Sequence, residues 1–147
     1  MFAWLWEDPL PVGAPAPDFT LKDDSGRDVS LKSLRGKNVV LIWYPGDDTS
    51  TCTKQLCEMR DSWASAQKKN TVVFGVNPQS AESHTRFRQK YSLPFPLLVD
   101  SGQQVGALYK TKGLFARRTV YLVGKDGTIR FAQRGKPTVP EVLAAAE

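Results

Sequence analysis

The sequence predicts an α/β domain, a central mixed sheet flanked by helices. Three apolar runs, at residues 39–44, 71–77 and 95–100, have the length and the β-branched and aromatic content of strands buried on both faces. Segments with helical period separate them. The chain then turns through a β-hairpin with an Asp-Gly signal. Strands alternating with helices call for parallel crossovers, and the late hairpin adds antiparallel strands.

The elements follow in order. Residues 9–17, "PLPVGAPAP", are Pro-rich and read as an extended lead-in. "FTLKDDSGRDVSL" alternates around an Asp-Ser-Gly turn and predicts a short hairpin. "SLRGK" is a brief turn or helical piece. "VVLIWY", residues 39–44, is stopped by Pro45 and Gly46. From Cys52 to about Lys68 the period becomes helical, with Cys52, Leu56, Met59, Trp63 and Ala66 on one face. "TVVFGVN", residues 71–77, is the second strand, and residues 80–91 predict a helix with Ser80 as N-cap. "FPLLVD", residues 95–100, is the third strand, and residues 103–109 predict a short helix. "RTVYLV", "KDG" and "TIRFAQRG" make the hairpin. "VPEVLAAAE" closes the chain as a helix with Pro140 near its start. This order is the pattern of a thioredoxin-like fold, which periodicity alone does not separate from other small α/β sheets.

A chain of 147 residues predicts one domain, residues 1–147, large enough to build a core without a disulfide. The hydrophobic fraction of 41% and charged fraction of 24% are those of a globular domain and exclude disorder. The net charge of +5 is dispersed, with no long basic block and no reading motif, which argues against nucleic acid. No stretch approaches transmembrane length, so no membrane role is expected. Residues 1–6 are apolar, but Glu7, Asp8 and Pro9 end the run at once, without the basic start or length of a signal peptide. Phe2, Trp4, Leu5 and Trp6 are expected to pack on the domain or on a partner. A cytoplasmic location is the default expectation.

Both cysteines of the chain, Cys52 and Cys57, lie in "PGDDTSTCTKQLC", residues 45–57, where a buried strand gives way to a helix. Backbone N–H groups at a helix N-terminus lack intrahelical partners and carry partial positive charge, so a thiolate is stabilised there. Cys52 begins the apolar run; Cys57 lies about 140° further around the helix, toward solvent. If both are helical, their Cα atoms stand roughly 8.7 Å apart, beyond the span of about 7 Å that a disulfide bridges. A static staple is therefore a poor reading. A bond formed during a reaction, with the first helical turns melted, fits the spacing. Inert buried cysteines are the bland alternative. A metal clip lacks ligands, since His84 is the single histidine and sits on another helix; no metal and no other cofactor is expected. A Cys–His nucleophile would need His84 beside Cys52, but His84 shares a face with Phe87 and Tyr91 and reads as a half-buried structural histidine. A disulfide oxidoreductase would normally show Cys-x-x-Cys here, whereas four residues intervene.

"YPGDDTSTCTKQLCEMRD" resembles the active-site signature of the peroxiredoxins, in the PrxQ or bacterioferritin-comigratory-protein branch. The family pattern Pro-x-x-x-Thr/Ser-x-x-Cys matches Pro45, Thr49 and Cys52 in register, and the second cysteine of the branch matches Cys57. "APDFTLKDDSGRDVSL", "ESHTRFRQKYSLPFPLLVD" and "RRTVYLVGKDGTIR" are similar to matching stretches, so the resemblance spans most of the chain. It departs at Ser50-Thr51, where Pro-Gly is common, at Gln55, where Glu is frequent, and at Trp43, where Phe is usual. Ser50 and Thr51 leave the N-cap open between them.

The resemblance implies a thiol-dependent peroxidase acting on hydrogen peroxide and organic hydroperoxides in antioxidant defence. Cys52 would be the peroxidatic cysteine. Thr49 would hydrogen-bond the peroxide and the sulfur, Pro45 would shield the sulfur, and Arg118, chosen over Arg117 by its spacing from the Asp-Gly turn, would stabilise the thiolate and the developing oxygen charge. Cys57 would be the resolving cysteine of an intramolecular disulfide, reduced by thioredoxin or glutaredoxin, in a monomer or homodimer. Two other classes stay open on the residues alone: a disulfide oxidoreductase or redox sensor, and a redox-gated binding or chaperone protein.

Overall fold

The computed structural model describes residues 8–147; the apolar segment with Phe2, Trp4, Leu5 and Trp6 lies outside the described residues. Strands β1 (Thr20–Asp23), β2 (Asp28–Ser30), β3 (Asn38–Trp43), β4 (Thr71–Asn77), β5 (Leu97–Val99), β6 (Thr119–Val123) and β7 (Ile129–Arg134) form one sheet in the order β2-β1-β5-β4-β3-β6-β7. Pairs β3–β4 and β4–β5 are parallel and the others antiparallel. This is the mixed, thioredoxin-like sheet the element order predicts. The helices are α1 (Ser50–Asp61), α2 (Trp63–Lys68), α3 (Ala81–Tyr91), α4 (Gln104–Leu108) and α5 (Val139–Ala144).

Strand β3 is apolar from Val39 onward because it is covered on both sides. Val40, Ile42 and Tyr44 enter one core layer with Cys52, Leu56 and Met59 of α1, Phe87 of α3 and Val142 of α5. Val39, Leu41 and Trp43 enter the opposite layer with Phe19, Tyr109 and Tyr121. Fully burying one such aliphatic side chain contributes about 1.5–3 kcal/mol, so β3 anchors both layers and holds its carboxyl end fixed.

The long helix expected from Cys52 to Lys68 is two helices. Ser62 leaves helical geometry, at φ −102° and ψ 14°, and its N–H donates to the carbonyls of Met59 and Arg60, tightening the last turn of α1. The first helix also begins earlier than expected: Thr49, extended at φ −89° and ψ 151°, is the N-cap, rather than Ser50 or Thr51. The strand expected over residues 95–100 shrinks to β5, because Pro96 brings no N–H and the Leu97 N–H goes to Asp24 Oδ1 at 3.2 Å. Residues 101–103 make a 3₁₀ turn ahead of α4. Ser80 caps α3 as expected, its Oγ accepting from the Ser83 N–H at 3.2 Å.

Gly75, in the middle of β4, lets β5 and Tyr44 close over it. A Cβ there would lie 2.7 Å from Leu97 Cδ2 and 2.9 Å from Tyr44 Cε1, and both side chains are fully buried. Gly75→Ala is therefore expected to cost about 1–3 kcal/mol by overpacking, measured as a lowered urea midpoint. A variant as stable as wild type would show that Tyr44 is free to shift.

Candidate active site

The carboxyl end of β3 delivers the chain into the loop of residues 45–49 and then into α1. Pro45 cannot extend the ladder. Asp48 turns the chain through the left-handed region at φ 59°, which an Asp tolerates better than most residues. Thr49 O accepts from the Thr53 N–H at 2.8 Å, but the Thr49 side chain does not cap the helix. Its hydroxyl donates back to the Gly46 carbonyl at 3.1 Å. The first turn of α1 thus has no side-chain cap and no acidic residue, leaving N–H groups to favour negative charge nearby.

Cys52 stands in that first turn and is fully buried. Its sulfur lies 2.9 Å from Nη2 of Arg118, the residue that leads into β6. The other guanidinium nitrogen, Nη1, donates to Gln55 Oε1 at 2.7 Å, and the Arg118 carbonyl accepts from the Gly135 N–H at 2.8 Å. One face of α1 therefore presents both the sulfur and, three residues on, the amide oxygen that aims the guanidinium. A charged donor held at this distance stabilises negative charge on sulfur. Gln55 is buried; at this position an amide oxygen suffices to orient the arginine.

Pro45 and Thr49 line a groove of about 440 Å³ with Gly46, Pro78, Leu114 and Phe115; Cys52 is not among its lining residues. Leu114 is 92% exposed and Phe115 67%, so the rim of the groove is apolar. The structure thus brings Cys52 together with Arg118, and Pro45 together with Thr49. The Thr49 hydroxyl is engaged with the loop and not with the sulfur. Cys57 is half-buried on α1, and both cysteines are free thiols. Because both belong to one intact helix, the spacing argument against a static bridge applies to the folded state. The far end of α1 is pinned: Arg60 Nη1 donates to the Tyr91 carbonyl at 2.7 Å.

His84 is fully buried, not half-buried as its position on the α3 face suggested. It pairs with Asp47 of the loop, Nδ1 to Oδ2 at 2.6 Å, and its Nε2 meets the Leu98 carbonyl at 2.9 Å. Asp47 also accepts from the Tyr44 hydroxyl at 2.6 Å and the Ser83 hydroxyl at 2.7 Å. Burial works to raise the pKa of Asp47, but hydrogen bonds from His84, Tyr44 and Ser83 outweigh it and hold the carboxyl below its usual range. Its contribution to stability is therefore complete above about pH 4 and is lost as the pH falls through the lowered value. Sequence reasoning missed Asp47 altogether. The signal was weak: one of two adjacent aspartates in a loop, with its partner on a distant helix. Among the described residues no group of three or more metal-ligating side chains gathers, and no helix is long and apolar enough to cross a membrane.

Residues 12–132 match the model of the AhpC/TSA family. The chain belongs to that family. Within it the relatives are peroxiredoxins of the Bcp/PrxQ branch. A putative peroxiredoxin bcp of Coxiella burnetii is 41% identical over 131 residues, covering 82% of this chain and 85% of that protein. A chloroplastic peroxiredoxin Q of Sedum lineare is 43% identical over 122 residues, covering 80% of this chain. The chloroplastic relatives are longer: this chain spans 66% of the Sedum protein and 57% of its rice counterpart. In fold, this peroxiredoxin superposes on the crystal structure of peroxidoxin BcpB from Mycobacterium tuberculosis with a TM-score of 0.87, at 24% identity, over 92% of this chain and 96% of that one. The protein is a peroxiredoxin enzyme, which implies a peroxide substrate and a thiol reductant.

Proposed function

We propose that residues 1–147 act as one catalytic domain that reduces hydrogen peroxide and organic hydroperoxides through Cys52. The observation that carries this reading is the Arg118 guanidinium, 2.9 Å from the Cys52 sulfur and oriented by Gln55. Displacement at a peroxide oxygen needs an anionic nucleophile and donors aimed at the charge that develops on the leaving oxygen. The Cys52 thiolate attacks one oxygen, the O–O bond breaks, and the other oxygen leaves with a proton as water or alcohol. Arg118 and the α1 N–H groups supply the positive environment. Pro45 shields the sulfur, and the Thr49 hydroxyl, which keeps acceptor capacity while bonded to Gly46, meets the peroxide.

Cys52 is left as sulfenic acid. Cys57 then displaces its oxygen, forming the Cys52–Cys57 disulfide and releasing water once the start of α1 has unwound. A dithiol donor, thioredoxin or glutaredoxin, reduces the bond by exchange. No cofactor takes part. The protein works in the cytoplasm as a monomer or homodimer, in antioxidant defence.

The test is a stoichiometric peroxide titration of the reduced protein followed by intact mass. One equivalent is expected to remove two hydrogens, the mark of an internal disulfide. Cys57→Ser is expected to consume its first equivalent of peroxide at about the wild-type rate and then to gain one oxygen instead, since resolution follows chemistry. A Cys57→Ser protein that still lost two hydrogens would remove Cys57 from the cycle.

A further inference from the structure

We infer that the buried Asp47–His84 pair is a positioning pair for the peroxide pocket, holding the loop of residues 45–49 to the sheet and α3 so that it keeps its place while α1 unwinds. The inference rests on the reading of Cys52 as the peroxidatic cysteine and adds residues to it.

Its basis is proton counting. The Leu98 carbonyl only accepts, so His84 Nε2, 2.9 Å away, carries a hydrogen. A neutral imidazole has one N–H, and that one is then spent. Yet Nδ1 lies 2.6 Å from Asp47 Oδ2, a distance at which two bare acceptors would repel. A further proton therefore lies between them, and the contact is a charge-assisted hydrogen bond sealed from water.

Asp47 is fastened on every side, and none of its partners belongs to α1. Tyr44 follows β3, Gln79 accepts from the Asp47 N–H, Ser83 and His84 are on α3, and His84 leads on to β5 through Leu98. A second, exposed tie runs from Asp48 to Lys90 and Tyr91 of α3, at 2.9 and 2.7 Å; solvent weakens such a pair. Meanwhile α1 starts without a side-chain cap. The side chains that hold the loop carrying Pro45 and Thr49 are thus different from those that hold the helix carrying Cys52, and the two meet through the backbone bond from the Thr53 N–H to the Thr49 carbonyl. One can come undone without the other.

Asp47→Asn keeps the shape but leaves one acceptor oxygen where the carboxylate has two, Oδ2 facing His84 and Ser83 and Oδ1 facing Tyr44, so at least one of these sides loses its acceptor. In stopped-flow measurements the second-order rate of Cys52 oxidation by hydrogen peroxide is expected to fall about tenfold, because the loop loses its register. The first-order condensation of the sulfenic acid with Cys57 is expected to stay within about twofold of wild type, since no bond to α1 has been lost. Amide hydrogen exchange at residues 46–49 is expected to accelerate. Equal slowing of both steps, or wild-type rates with only a lower melting temperature, would assign the pair a merely structural role and overturn the inference. Should Asp47→Asn not fold, Ser83→Ala, which deletes one donor to the same carboxylate, is read in the same way with an expected slowing of about threefold; an unchanged oxidation rate in that variant overturns the inference. If the wild-type protein itself does not oxidise Cys52 with peroxide, the proposed function fails separately, and unchanged exchange at residues 46–49 in the variant would still overturn the clamp.

Discussion

Cys52→Ser is expected to consume no peroxide above the uncatalysed rate in the presence of a dithiol reductant, a loss of about 10⁴-fold or more. A serine hydroxyl beside Arg118 still accepts a hydrogen bond, so the site keeps its shape, but it is not ionised near neutral pH and forms no sulfenic acid. The change is small in volume for a fully buried position. The melting curve is therefore expected to remain cooperative, which separates lost chemistry from lost fold. The measurement is the decay of hydrogen peroxide with reductant in excess. Full turnover by the serine variant would sink the assignment of Cys52 and with it the cycle proposed above.

Arg118→Met is expected to slow Cys52 oxidation by about 10²–10³-fold, the cost of removing one charged donor from a developing anion. Methionine keeps the apolar bulk of the side chain and removes both hydrogen bonds, to Cys52 and to Gln55. Arg118→Lys is the informative companion. It restores the charge, but a single ammonium does not reproduce a planar fork that reaches Gln55 with one nitrogen and the sulfur with the other. An intermediate rate is expected, about tenfold below wild type. The rate is read by competition for peroxide against a peroxidase of known rate, over a range of pH. If Arg118→Met oxidised Cys52 as fast as wild type, the guanidinium would be a packing contact with no part in the chemistry.

The parts of this molecule legible in its sequence are those where one strong local pattern dominates. Strand β3 is apolar on both faces, and its two-sided burial follows from that. The β6–β7 hairpin carries its turn in Asp126-Gly127, with Gly127 at φ 84°, a conformation that favours glycine. Ser80 announces α3. What stayed hidden depends on contacts between distant segments. The break at Ser62 is an end-of-helix adjustment with no Gly or Pro to mark it. The full burial of His84 depends on an aspartate 37 residues away. In the site, Arg118 rested on the family resemblance, with its spacing from the Asp-Gly turn choosing it over Arg117, whereas Gln55 showed only as a departure from the family pattern until its oxygen met the guanidinium. The hydroxyl of Thr49 points the other lesson: a motif position fixes a residue type, and the loop decides what that residue holds at rest.

The two ends of α1 differ, and in the proposed cycle the difference bears on which sulfur is expected to travel. Arg60 moors the helix to the carbonyl of Tyr91, three residues beyond Cys57, while at the Thr49 end no side chain caps the helix and the tie is made by Cys52 itself, through Arg118. In the proposed cycle, oxidation of Cys52 breaks that tie and the Thr49 end is expected to open first. Cys57 is then expected to stay near the mooring and Cys52 to move, out from under Arg118. The disulfide form is then expected to leave the guanidinium bereft of its sulfur, so that a second oxidant arriving early finds a cation with no nucleophile beside it.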